Sequence, residues 1–135
     1  MEFDEPKGIY LQLRDLAYEL ILTGKWAPQE RIPSVREMGI MVQVNPNTVL
    51  RTYELLQRKG LIFNKRGIGY FIAEDAVEKV VEDKKEEFFK NILPKLFRMM
   101  KLLKLTPETI QQRFEEYLKE TPADNPETNI PKELL

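Results

Sequence analysis

Two helix starts fall close together in the middle of this chain, and they constrain its fold more than any other feature. Ser34 stands three positions before Glu37, the spacing at which a serine and a glutamate cap a first helical turn reciprocally. Asn45 is followed at once by Pro46, and proline is tolerated at the first helical position because that N–H has no intrahelical partner. The helix through Val35, Met38 and Val42 therefore ends in the brief turn Gln43-Val44 before the next begins. That next helix runs through Val49, Leu50, Tyr53, Leu55 and Leu56 to Gly60, a terminating glycine behind Arg58 and Lys59, whose charges suit the negative end of the helix dipole. Helices joined by so short a turn cannot lie antiparallel. The pattern is a helix-turn-helix whose second helix is presented outward.

The flanks complete a larger unit. Ile9, Leu13, Leu16, Ala17, Leu20 and Ile21 recur at intervals of three and four, the stripe of an amphipathic helix that ends at Gly24. Lys25 to Pro33 then reads as a loop between two prolines, Pro28 and Pro33. After Gly60 the period changes: Leu61-Ile62-Phe63 and Tyr70-Phe71-Ile72 are short aromatic and β-branched runs around Asn64-Lys65-Arg66-Gly67-Ile68-Gly69, the signature of a hairpin with a basic, glycine-rich loop. Three helices and a basic hairpin make a winged helix-turn-helix over residues 1–74, mainly α with a small β-hairpin (α+β).

Residues 75–120 turn helical again. Val77, Val80, Val81, Phe88, Phe89, Ile92, Leu93, Leu96, Phe97, Met100 and Leu103 form a broad apolar arc that contains Pro94, and since the period resumes on both sides a kink is expected there. Thr106-Pro107 repeats the N-cap and proline entry, and Ile110, Phe114, Tyr117 and Leu118 give a last helix one apolar face. The arc is too wide for one partner helix. It predicts a two-helix dimerisation segment through Phe88, Phe89, Ile92, Leu93, Leu96, Phe97, Met100, Leu103, Phe114 and Tyr117. Residues 121–135, with Pro122, Pro126 and Pro131 among polar neighbours, read as a flexible tail.

Composition narrows the chemistry. At 135 residues the chain has room for one ordinary domain and an appendage, and no space for a large sensor domain. It holds no cysteine and no histidine, which excludes disulfide frameworks, thiolate or imidazole metal sites, and the usual nucleophiles and general base. No constellation of carboxylates suggests an enzyme, no cofactor is expected, and the core packing positions Trp26, Met38 and Met41 carry no cofactor signature. The acidic start Met1-Glu2-Phe3-Asp4-Glu5 is not a signal peptide, and without an apolar run of about 18 residues the chain is expected to be cytoplasmic and free of the membrane.

The net charge of -1 is a cancellation. From Arg31 to Tyr70 seven basic residues face two acidic ones, giving +5, while 14 basic against 20 acidic elsewhere give -6. A basic segment between acidic flanks suggests a surface that meets a polyanion. Within it, Asn45, Asn47 and Thr48 stand at the helix end that would enter a major groove, and Arg51 follows one turn later, within reach of a base edge or phosphate. Asn45 and Thr48 have a second reading as helix caps. Ser34 could offer its hydroxyl or N–H to a phosphate at a helix N-terminus, and Arg36 could pair with Glu37 or another surface carboxylate. In the wing, Lys65 and Arg66 supply charge, and Gly67 and Gly69 allow close backbone approach or simply a tight turn. Double-stranded DNA is the expected partner; a protein-interaction module recognising an acidic partner is the alternative.

Four blocks in order, Ile9-Tyr10-Leu11-Gln12-Leu13, Arg31-Ile32-Pro33-Ser34-Val35-Arg36-Glu37, Val44-Asn45-Pro46-Asn47-Thr48-Val49, and Gly60-Leu61-Ile62 with Arg66-Gly67-Ile68-Gly69-Tyr70-Phe71, resemble the GntR family of bacterial transcription regulators. The Asn-Pro-Asn-Thr-Val block and the short C-terminal part are similar to its YtrA-like branch. The resemblance implies a homodimeric repressor on a pseudo-palindromic operator near its own or transporter genes, with Arg36 at the position of a DNA-contacting arginine. An effector is not identified by it. The chain departs from the family pattern at Gln29 and Gln43, where glycines are usual, at Gly39, where alanine is usual, and at Pro46 and Leu50, where many relatives place DNA-touching arginines.

Overall fold

In the computed structural model, which describes residues 8–121, the helix starts read from the sequence organise the first half of the chain. The Ser34 hydroxyl oxygen accepts the Glu37 N–H at 3.1 Å while the Glu37 carboxylate accepts the Ser34 N–H at 3.1 Å, and helix α2 (Val35–Val42) begins there. The Asn45 side-chain oxygen accepts the Asn47 N–H at 2.8 Å at the start of α3 (Pro46–Arg58). Helix α1 (Ile9–Leu22) precedes both, and Gly60 after α3 takes the left-handed conformation with φ 74°.

One core holds these pieces. Leu13, Leu16, Leu20 and Ile21 of α1 are buried with Met38 and Val42 of α2, Val49, Tyr53 and Leu56 of α3, and Trp26 and Ile32 of the intervening loop. Each fully buried large apolar side chain stabilises the fold by roughly 1.5–3 kcal/mol relative to exposure. Thr52, the buried polar residue among them, spends its hydroxyl on the Tyr10 carbonyl at 2.9 Å and the Thr48 carbonyl at 3.2 Å.

Strands β1 (Ile62–Lys65) and β2 (Gly69–Ile72) pair antiparallel, from Ile62 opposite Ile72 to Lys65 opposite Gly69. The wing loop is therefore shorter than expected, only Arg66, Gly67 and Ile68, because Asn64, Lys65 and Gly69 join the ladder. The segment read as a plain loop before α2 also pairs with the hairpin. The Gln29 N–H donates to the Ile72 carbonyl at 2.8 Å, the Ile72 N–H to the Glu30 carbonyl at 3.0 Å, and the Ile32 N–H to the Tyr70 carbonyl at 3.0 Å, with Arg31 bridged to Phe71. An exposed edge of β2 is thereby covered.

Gln29 (φ 68°) and Gln43 (φ 56°) both lie in the left-handed region. These are the two positions where glycine is usual in the resembled family, so a backbone requirement persists here without the residue that meets it most cheaply.

Helix α4 (Ala76–Glu87) leads to a π-helical turn (Phe88–Ile92), then to α5 (Leu93–Leu103) and α6 (Pro107–Glu120). The wide turn lies directly ahead of Pro94, the proline expected to kink the helix, whose missing N–H leaves the Lys90 carbonyl without its usual partner. The Thr106 hydroxyl caps α6 by accepting the Thr109 N–H at 3.2 Å. The chain divides into two compact units between Glu82 and Asp83. Ala76 and Val80 are buried in the first unit's core, which carries that unit into α4. Of the tail expected at 121–135, only Thr121 falls among the described residues.

Candidate nucleic-acid interface

The exposed rim of the first unit gathers most of the basic and amide side chains singled out in the sequence. At the start of α2, Arg36 is exposed and makes no ion pair among the described residues. Its sequence neighbour Glu37 faces Arg31 instead, at 4.0 Å between side chains that are each more than half exposed, a pair worth about 0–1 kcal/mol. The Ser34 N–H and then its hydroxyl hold the Glu37 carboxylate below the usual carboxylate pKa. Both groups that Ser34 could offer a phosphate, its N–H and its hydroxyl, are thus engaged in the cap.

At the start of α3 the two readings of Asn45 resolve toward the cap, since its side-chain oxygen is bonded to the Asn47 N–H. Asn47 is exposed with no capping role of its own, and Thr48 is half-buried. Arg51 is exposed, and its guanidinium carbon lies 3.7 Å from the centre of the Tyr10 ring on α1. Gly8, Ile9, Tyr10, Asn47, Thr48 and Arg51 border an open depression of about 340 Å³.

In the wing, Phe63 and Phe71 stack with ring centres 5.8 Å apart, and the Lys65 ammonium sits 4.5 Å from the Phe71 ring centre. An aromatic platform thus carries the wing's first cation. Gly67 (φ 80°) makes the turn beside exposed Arg66 and Ile68. Gly69 (φ 138°) also lies close to Arg31: a Cβ there would come within 2.9 Å of Arg31 Nε, so the exposed arginine side chain would have to shift. Arg31 was counted in the basic segment but not singled out as a site residue, and its place against the wing comes from the pairing of its loop with β2. Tyr10 was missed altogether. Its only signal was membership of the first family-like block.

The apolar residues expected to mediate assembly are uncovered in the second unit. Phe89 is 60% exposed, Phe97 56%, Leu103 58%, Phe114 58% and Tyr117 59%, and no residue of α5 or α6 is buried. Phe88, Ile92 and Leu96 are exposed as well, while Leu93 and Met100 are half-buried. Among the described residues there is no cluster of three acidic side chains that could hold a metal, and no helix is long and apolar enough to cross a membrane.

A helix-turn-helix with an outward second helix, a paired wing and a cationic rim defines a winged-helix DNA-binding domain. Residues 8–72 match the model of the bacterial regulatory proteins of the gntR family. The chain is 39% identical over 107 residues to the uncharacterized HTH-type transcriptional regulator YhcF of Bacillus subtilis, covering 79% of this chain and 87% of that one. It is 36% identical over 120 residues to the HTH-type transcriptional repressor YtrA of the same organism, covering 86% of this chain and 85% of that one. A crystal structure of a GntR-family regulator from Bacteroides thetaiotaomicron superposes with a TM-score of 0.72 at 38% identity, over 83% of this chain and 97% of that one. The chain belongs to the GntR family of transcriptional regulators, and neither that family nor these relatives are enzymes.

Proposed function

We propose that this regulator binds duplex DNA sequence-specifically as a homodimer and represses transcription from a pseudo-palindromic operator, near its own or transporter genes. The observation that carries the reading is the exposure, on one folded unit, of Arg36, Asn47, Arg51, Lys65 and Arg66 without carboxylate partners among the described residues. Asn47 is suited to adenine, Arg51 to a base edge or phosphate, and the wing cations to the adjacent backbone or minor groove. The repressor role is supported by similarity to YtrA, which bears that description.

One reading head covers only a few base pairs. A two-fold dimer reads half-sites about one helical turn (roughly 34 Å) apart. The uncovered apolar faces of α5 and α6 are the surface proposed to join the two copies, with residues 75–120 as the dimerisation segment.

Selection of bound sequences from random duplexes by the pure protein tests the whole reading. Recovery of a two-fold symmetric site whose affinity falls steeply with salt is the expected result. Failure to enrich any sequence, with affinity flat between low and moderate salt, would overturn it and favour an acidic protein partner.

A further inference from the structure

We infer that Tyr10 is a positioning residue for Arg51: its ring holds the guanidinium in the pose in which Arg51 meets DNA. The inference rests on the DNA-binding function proposed above. Arg51 lies on the exposed side of α3, one turn beyond Asn47 and Thr48. At 3.7 Å from the ring centre, its guanidinium carbon is in stacking contact with the Tyr10 face. Tyr10 is itself held to the same stretch of α3, because its carbonyl accepts the hydroxyl of Thr52, the next residue after Arg51, at 2.9 Å. Two contacts at consecutive residues therefore lock the first turn of α1 against the middle of α3.

The chemistry of this arrangement favours an anionic or base-edge ligand. A guanidinium directs its N–H donors outward in its own plane, so stacking on a ring occupies a face and leaves every donor available. A carboxylate partner would consume both the donors and the charge; among the described residues Arg51 has none. A free arginine side chain loses rotamer entropy when it is fixed on a ligand. The Tyr10 ring removes part of that loss before DNA arrives. Arg51, Asn47 and Thr48 together border the open depression of about 340 Å³ beside Tyr10, so the restrained cation stands next to the residues expected to read the half-site.

The test uses the full chain and the duplex selected by the wild-type protein, with wild type, Tyr10→Phe, Tyr10→Trp, Tyr10→Leu, Arg51→Ala and the Tyr10→Leu/Arg51→Ala double variant. Tyr10→Phe and Tyr10→Trp keep an aromatic face and are expected to stay within about twofold of wild type. Tyr10→Leu is expected to weaken binding about fivefold, the order of an exposed cation–π contact, with its thermal midpoint checked to show a folded protein. In the Arg51→Ala background, Tyr10→Leu is expected to add nothing. An equal loss in both backgrounds would overturn the inference, since Tyr10 would then act on DNA or on the fold by itself. So would wild-type affinity in Tyr10→Leu, or a Tyr10→Phe variant as weak as Tyr10→Leu, which would transfer the role to the hydroxyl. If wild type binds no duplex in any arm, the underlying DNA reading fails, and that result is distinct because no variant comparison then exists.

Discussion

The Tyr53 hydroxyl donates to the Pro33 carbonyl across 2.6 Å, so α3 itself fixes the residue from which α2 is launched. The same ring meets Tyr70 of β2 edge-on at 5.0 Å between centres. One buried side chain thereby ties both helices of the motif to the wing. Burial, reinforced by Tyr70 and Glu37, pushes the Tyr53 hydroxyl well above its ordinary pKa, so it remains a proton donor across the working pH range. Tyr53→Phe is expected to lower unfolding stability by about 1–2 kcal/mol, because it leaves a part-buried carbonyl without its donor. Urea denaturation measures this, and an unchanged midpoint would show that water replaces the lost donor.

Glu37 gives the α2 start a pH dependence. Its folded-state pKa is lowered by the Ser34 backbone and hydroxyl. A carboxylate with a depressed pKa contributes stability that is fully present above its unfolded value and is lost as pH falls through the folded value. Stability should therefore decline on acidification below about pH 4.5, and Glu37→Ala should flatten that part of the profile. Denaturant midpoints of both proteins between neutral and acidic pH provide the comparison; parallel profiles would remove Glu37 as a source.

Gln43→Gly is expected to stabilise the protein. A non-glycine residue in the left-handed region costs about 1–2 kcal/mol, and the entropy glycine loses on folding returns part of that, leaving a net gain of about 0.5–1 kcal/mol. Gln29→Gly should gain less, because it also removes the bond from the Gln29 amide to the Glu74 carboxylate at 3.0 Å. Thermal unfolding of the two variants ranks them directly.

Arg36→Ala and Lys65→Ala should each reduce the slope of log affinity against log salt by about one, the signature of one lost phosphate contact. Asn45→Ser, which retains an N-cap, should keep stability near wild type, whereas Asn45→Ala should lose about 1 kcal/mol. If Asn45→Ser also abolishes operator preference, the amide reads a base in addition to capping the helix.

Phe97→Glu with Phe114→Glu should convert a dimer into a monomer in sedimentation, since both rings stand more than half exposed on helices that bury no residue. Persistence of the dimer would place the interface elsewhere.

The elements that could be read in advance are those whose causes are local. Ser34 with Glu37, Asn45 with Pro46, and Thr106 with Pro107 each determine a helix start through neighbours a few positions away, and the period change after Gly60 marks the hairpin. What escaped the sequence joins distant positions. Arg31 meets Phe71 and Gly69 because a loop finds the free edge of β2, and Arg51 meets Tyr10 because the first turn of α1 packs against the middle of α3. How far the first core reaches into α4 is hidden for a related reason. Val77, Val80 and Val81 continue the apolar period of the residues beyond them, and periodicity reveals that a face is apolar without revealing what covers it. Among the candidate DNA contacts, residue types and the capping of Ser34 and Asn45 were legible, and the structure supplies the bonds that hold those caps.

Helices α5 and α6, of 11 and 14 residues, bury nothing among the described residues, and helices of that length are marginal in water by themselves. When their cover is a second copy of the chain, ordering of this unit and pairing of two reading heads become one equilibrium, set by the number of protomers in the cell. While free protomers predominate, occupancy of a two-fold operator then rises with the square of their concentration. A promoter under such control responds to the abundance of its regulator with a threshold, even in the absence of a small-molecule signal.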